Sequence, residues 1–141
     1  NNVETRRQAL KHLKDGGAII IFPAGAISLA PKIFGAAFDV QWKTFVAKLA
    51  LQPDTTTVPF YFEGGNSTLY QLARKMSQTL GYSLMFREIC RRMGTGLTVT
   101  MRAPVQTADL TSLPDRIAVT DYLRQQTYNG HAVAPKLQHG A

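Results

Sequence analysis

The sequence predicts an α/β fold: a partial, mostly parallel sheet of about three strands, flanked by helices. Three observations lead there. Short apolar runs alternate along the chain with segments of helical period. The run Ile19–Phe22 places apolar residues at consecutive positions, three of them β-branched, as in a strand buried on both faces. That run stops at Pro23, which has no N–H for a ladder, and Gly25 then lets the backbone turn. A small-residue loop at the carboxyl end of a strand is where open α/β sheets bind ligands. Three strands are few for a parallel sheet that needs cover on both faces, so the chain reads as part of a larger fold.

Composition sets the bounds. At 141 residues, 45% hydrophobic and 18% charged, the chain suits one globular domain with a real core rather than a disordered segment. The single cysteine, Cys90, excludes an internal disulfide and a multi-cysteine metal site. No run approaches the ~18 apolar residues of a membrane span. The chain opens on Asn1-Asn2 with no initiator Met, as a processed or excised stretch would. The net charge of +7 is uneven: residues 1–70 carry net +2 and residues 71–141 net +5. A basic second half calls for an anionic partner: lipid head groups, nucleic acid or a phosphorylated substrate.

Taken in order, residues 5–15 read as a helix, with Thr5 and Gln8 at capping-box spacing, Ala9, Leu10 and Leu13 on one face and Gly16 as the stop. His12 and Asp15 fall on exposed surface, given Lys11 and Lys14 beside them. After the 19–22 strand, Leu29 to Val40 is apolar but aperiodic and should cover a cleft or meet a partner. Helical period returns over 41–51, with Trp42, Phe45, Val46 and Leu49 on one face and Trp42 expected in the core. Pro53 ends it. Thr56 to Phe62 is a second strand, in which Pro59 argues for an edge or a bulge. Gly64-Gly65-Asn66 forms a second loop, which lies beside the 23–28 loop if the two strands are parallel.

A helix over 68–80 follows, with Thr68 and Gln71 as a capping box and Gly81 as its break. Ser83 can cap another helix over 84–93. Leu69, Leu72, Ala73, Met76 and Leu80 share one side of the first helix. Leu84, Met85, Phe86, Ile89, Cys90 and Met93 oppose Arg87, Arg91 and Arg92 on the second. Two readings stay open: core-packed helices with solvated cationic faces, Cys90 being a small core residue, or a hairpin drawn to anionic lipid through Arg87, Arg91 and Arg92. Leu97–Arg102 is the third strand, and Ser112, Pro114 and Asp115 open a last helix that ends at Asn129-Gly130. Residues 131–141 read as a flexible tail, which leaves His131 and His139 without a catalytic role. The arginines lack interleaved aromatic residues, so no nucleic acid is expected. No Walker A, G-x-G-x-x-G or H-E-x-x-H pattern occurs.

Ile21 to Ser28 (IFPAGAIS), followed some thirty residues later by Val58 to Ser67 (VPFYFEGGNS), resembles the glycerolipid acyltransferases, the family of the lysophosphatidic acid acyltransferases. The similarity is greatest to the hemolysin-like or lyso-ornithine-lipid-type branch and runs from about residue 5 to residue 105. The wider family reads Phe-Pro-Glu-Gly-Thr-Arg-Ser in the first block, where it helps bind the acceptor. Here Phe22, Pro23, Gly25 and Ser28 match, while Ala24, Ala26 and Ile27 replace the Glu, Thr and Arg. Loss of that Arg removes the strongest contact a side chain makes to phosphate and turns the expectation toward a different acceptor. Val58 and Pro59 match the family's Val-Pro block on the acyl-donor side.

The family's catalytic His-x4-Asp, a general base with its orienting partner, is absent: no His of this chain has an Asp five residues on. The resemblance therefore implies that residues 1–130 are the C-terminal part of an acyltransferase domain, inactive alone. The whole would move a fatty acyl group from acyl-CoA or acyl carrier protein to a lysolipid, peripherally at the cytoplasmic face of the inner membrane. It implies an acceptor site at Phe22, Pro23, Ala24, Gly25 and Ser28, formed through backbone N–H groups, and a cleft wall at Val58, Pro59 and Asn66. No catalytic residue, metal or organic cofactor beyond the acyl carrier is expected in this chain. The rival expectation is a non-catalytic module that binds anionic lipid through the basic second half.

Overall fold

The computed structural model describes residues 2–28 and 38–129. Helix α1 (Asn2–Lys14) starts three residues earlier than the capping pattern suggests, so Thr5 lies inside it. Glu4 organises the first turn instead, accepting from Arg7 (3.0 Å) and Gln8 (3.2 Å). Gly16 ends the helix at φ +82°, a left-handed conformation that favours glycine. His12 and Asp15 are both exposed, and Asp15 pairs with Lys11 rather than with His12.

The 19–22 run is not a ladder strand. It is irregular backbone with no sheet partner among the described residues, and burial alternates along it. Ile19 and Ile21 are half-buried, whereas Ile20 is 89% exposed and Phe22 is 71% exposed. One face of the run meets the protein, not two. Of the following segment, residues 29–37 lie outside the described residues. Trp42 is buried, as expected, but precedes α2 (Phe45–Ala50), which is half the expected helix and buries Val46, Ala47, Leu49 and Ala50.

The expected parallel sheet is not present among the described residues. Two small antiparallel sheets take its place: β1 (Thr56–Thr57) with β4 (Val105–Gln106), and β2 (Phe60–Phe62) with β3 (Val99–Met101). Their registers explain the division. Thr57 faces Val105 and Phe60 faces Met101, so two residues on one limb oppose three on the other. The pieces form one antiparallel ribbon interrupted by a bulge, with Pro59 and Pro104 at the interruption, where neither can donate. Arg102 N–H to Pro59 O (2.9 Å) holds the limbs together there. The two limbs pair with each other directly, and an antiparallel ladder results.

Between the limbs stands a helical hairpin, α3 (Thr68–Met76) and α4 (Gln78–Arg92). Ser67, not Thr68, caps α3, accepting from Tyr70 N–H (3.2 Å). The break falls at Ser77, four residues before Gly81. Gly81 is buried inside α4 because Arg74 of α3 lies across it; a Cβ there would fall 3.3 Å from the Arg74 Cα. Ser83 consequently sits in mid-helix and donates back to Thr79 O (3.1 Å). After the ribbon, α5 (Thr107–Leu110) carries a capping box of Gln106 and Asp109. Helix α6 (Arg116–Tyr128) is capped by Asp115, which accepts from Ala118 N–H (2.8 Å). The tail and its histidines lie outside the described residues.

The core joins α2, α6 and the ribbon: Trp42, Val46, Ala47, Ala50, Val105, Leu110, Val119, Leu123 and Tyr128. Tyr61 of β2 meets Tyr128 edge-on at 5.6 Å between ring centroids.

Candidate functional site

Two side chains of the hairpin set the geometry of the site. Glu88 is the one acidic residue between Glu63 and Asp109, and it is only 7% exposed. One carboxylate oxygen accepts from the Ser67 hydroxyl; the other accepts from Ser67 N–H (2.8 Å) and from Arg91 (3.3 Å). A carboxylate of α4 thus serves the N-terminus of α3, which favours negative charge. Burial pushes the Glu88 carboxyl upward, but the two Ser67 hydrogen bonds and Arg91 outweigh it and hold it below its ordinary 4.5. The second side chain is Tyr70, 1% exposed, whose hydroxyl has no hydrogen-bond partner among the described residues.

Tyr70 and Glu88 line a cavity of about 390 Å³ together with Ile27, Asn66, Met85, Ile89, Arg92 and Met93. The two resembling loops therefore do meet, through Ile27 and Asn66, although no parallel sheet brings them there. Phe22 and Phe62 meet beside them, ring centroids 6.5 Å apart.

The remaining expected acceptor residues divide. Phe22, Pro23 and Gly25 line a second cavity of about 240 Å³ with Arg6 and Lys43. Ala24 is buried in the core. The Gly25 N–H donates to Phe22 O (3.1 Å) at φ +60° and is spent within the turn. Ser28 donates to Asp39 Oδ1, and Asp39 Oδ2 also accepts from Trp42 Nε1 (2.9 Å). The Gly25 N–H is therefore engaged within the turn, and the side chain of Ala24 packs in the core. On the donor side, Asn66 lines the first cavity, whereas Val58 and Pro59 line neither and stand at the ribbon break. Behind Asp39, Tyr128 is pushed up to about 12, by burial first and by the Asp39 charge second.

The hairpin is inverted relative to a helix pair packed on a core. Helix α4 buries Gly81 and Glu88 and exposes Tyr82, Phe86 and Ile89, which recur at i, i+4 and i+7, with Met93 exposed at its C-cap. Helix α3 buries Tyr70, Gln71 and Ala73 and exposes Leu69, Leu72 and Met76. Cys90 is exposed with this ridge, not in the core. Of the three expected lipid contacts, Arg87 makes no ion pair or hydrogen bond among the described residues. Arg91 pairs with Glu88, and Arg92 donates to Gly65 O.

Sequence reasoning passed over Tyr70 and Glu88. The isolation of Glu88 in a basic, apolar stretch was a readable signal; the partnerless hydroxyl of Tyr70 had none. Among the described residues, no helix is long and apolar enough to cross a membrane, and no group of His, Cys, Asp or Glu gathers that could hold a metal. The chain matches no family model, no curated protein and no solved structure.

Proposed function

We propose that this chain is a lipid-handling part of an acyltransferase that works peripherally at a membrane face, supplying a cleft and a lipid-facing hairpin but not the catalytic dyad. The observation that carries the reading is the inverted hairpin. A ridge of Leu69, Leu72, Met76, Phe86, Ile89 and Met93 faces outward, with Arg87 and Arg91 on the same helical pair. Exposed apolar surface beside cations has an energetic reason to exist against anionic lipid, where burial and charge both contribute. The meeting of the two loops at one cavity adds weight, because both blocks resemble the same family. The acyl donor would be acyl-CoA or acyl carrier protein and the acceptor a lysolipid. With no His-x4-Asp, residues 1–141 alone should not transfer acyl groups.

A second reading has its own support. The hairpin alone would make the chain an anionic-lipid-binding module without chemistry. Sedimentation with phosphatidylcholine vesicles, with and without phosphatidylglycerol, tests what the readings share. Binding that requires the anionic lipid and falls in Arg87→Ala is expected; equal recovery with and without vesicles would contradict both. An acyl-transfer assay on a longer chain that includes a His-x4-Asp then separates them: turnover favours the enzyme, none favours the module.

A further inference from the structure

We propose that the cavity lined by Ile27, Tyr70, Met85, Ile89 and Arg92 binds a free long-chain fatty acid, with its carboxylate between the Tyr70 hydroxyl and the Arg92 guanidinium. The proposal rests on the lipid-handling reading above and gives that site a ligand. About 390 Å³ falls within the roughly 300–1,000 Å³ of small-molecule sites. Its walls are aliphatic and thioether: Ile27 and Met85 are half-buried, Ile89 and Met93 border it from the exposed ridge, and methionine adapts to a flexible chain.

The polar groups define the head. A buried hydroxyl without a partner is unfavourable unless something that enters the site supplies an acceptor. Tyr70 is such a group, and it lines the cavity. Arg92 lines it too. Its guanidinium rests against Gly64 and Gly65, where a Cβ at Gly64 would come 3.1 Å from it. One N–H goes to Gly65 O, and no carboxylate pairs with it among the described residues. The negative charge of Glu88 on the same wall is matched by Arg91, and both its oxygens are engaged. One uncompensated cation and one free hydroxyl donor fit a monoanion with two acceptor oxygens better than a dianionic phosphate. A thioester or ester lacks that charge, so the site selects the free acid.

The test uses the full chain, freed of lipid, and the fluorescent fatty acid cis-parinaric acid. Laurate, methyl laurate and dodecyl phosphate compete for it. Laurate should displace the probe best, with methyl laurate weaker by about tenfold or more, because a charge-assisted hydrogen bond is lost. Arg92→Gln should weaken laurate by about tenfold and Tyr70→Phe by about fivefold, in keeping with charged and neutral hydrogen bonds. Arg116→Gln, on an exposed cation of α6, should leave it unchanged. Ligand-free Tyr70→Phe should melt no lower than the unaltered chain, since it removes only a partnerless hydroxyl, and should sediment with vesicles as before. Methyl laurate competing as well as laurate, dodecyl phosphate competing better, or Tyr70→Phe binding laurate undiminished would overturn the assignment. Vesicle binding that survives while laurate binding is absent would overturn the fatty-acid site alone and leave the surface reading standing.

Discussion

The half of the molecule around α2 and α6 and the α3–α4 hairpin are both rich in apolar residues, yet they use them in opposite ways. In the first, Val46, Ala47, Leu110, Val119 and Leu123 point inward and close a core. In the second, the large apolar residues point outward, and a carboxylate, an amide and a phenol occupy the inside. The first is stabilised mainly by removing apolar surface from water. The second is held by directional bonds: Ser67 to Glu88, Glu88 to Arg91, Gln71 to Asn66 O (3.0 Å) and Arg92 to Gly65 O. Apolar content does not by itself imply burial: one half turns its large apolar residues into a core, and the other leaves them exposed.

Substitutions at three positions should sharpen that contrast. The largest effect belongs to the core. Leu123, 2% exposed, should cost about 2–5 kcal/mol on truncation to Ala, the range for buried leucines, as read by urea denaturation. Next comes the polar interior of the hairpin. Glu88→Ala should cost about 1.5–3 kcal/mol, as for hydrogen bonds to a charged group, with faster amide exchange confined to α3 and α4. The pH dependence carries a sign. The folded carboxyl lies below its ordinary 4.5, so its contribution is complete above about pH 4.5 and is lost as pH falls through the lower folded value. The gap in melting temperature between the unaltered chain and Glu88→Gln should therefore shrink below pH 4.5 and stay constant from pH 5 to 7. Smallest in stability is the ridge. Phe86→Ser, at a residue 75% exposed, should stay within about 0.5 kcal/mol of the parent while weakening vesicle binding. A ridge substitution that unfolds the chain, or a core substitution that spares it, would erase the distinction.

Much of this was legible from residues, but not the sheet. Helix termini with local chemistry were readable: Gly16 after α1 and Asp115 before α6 act within one turn of themselves. Pro59 was rightly read as an interruption. Strand direction was not readable, because Ile19–Phe22 has the composition of a buried strand while its burial depends on neighbours that composition does not name. The hairpin deceived for the same reason. Gly81 looks like a break, but Arg74 of the facing helix makes it a contact point. Periodicity finds an apolar face and cannot say which side of the helix faces the protein. Of the site, the 23–28 and 64–66 loops were expected together only through parallel strands, and Ile27 and Asn66 line one cavity without them. Tyr70 and Glu88 were not expected, since both matter through partners, or the lack of one, distant along the chain.

The lone cysteine offers the most direct test that the ridge faces lipid. Cys90 is exposed on α4, one turn from Phe86, and no other thiol competes for a label. An environment-sensitive fluorophore attached there should shift to the blue and gain intensity on addition of phosphatidylglycerol-containing vesicles, and should respond far less to phosphatidylcholine alone. Emission that stays at its aqueous position while the chain sediments with those same vesicles would place the contact elsewhere and contradict the account.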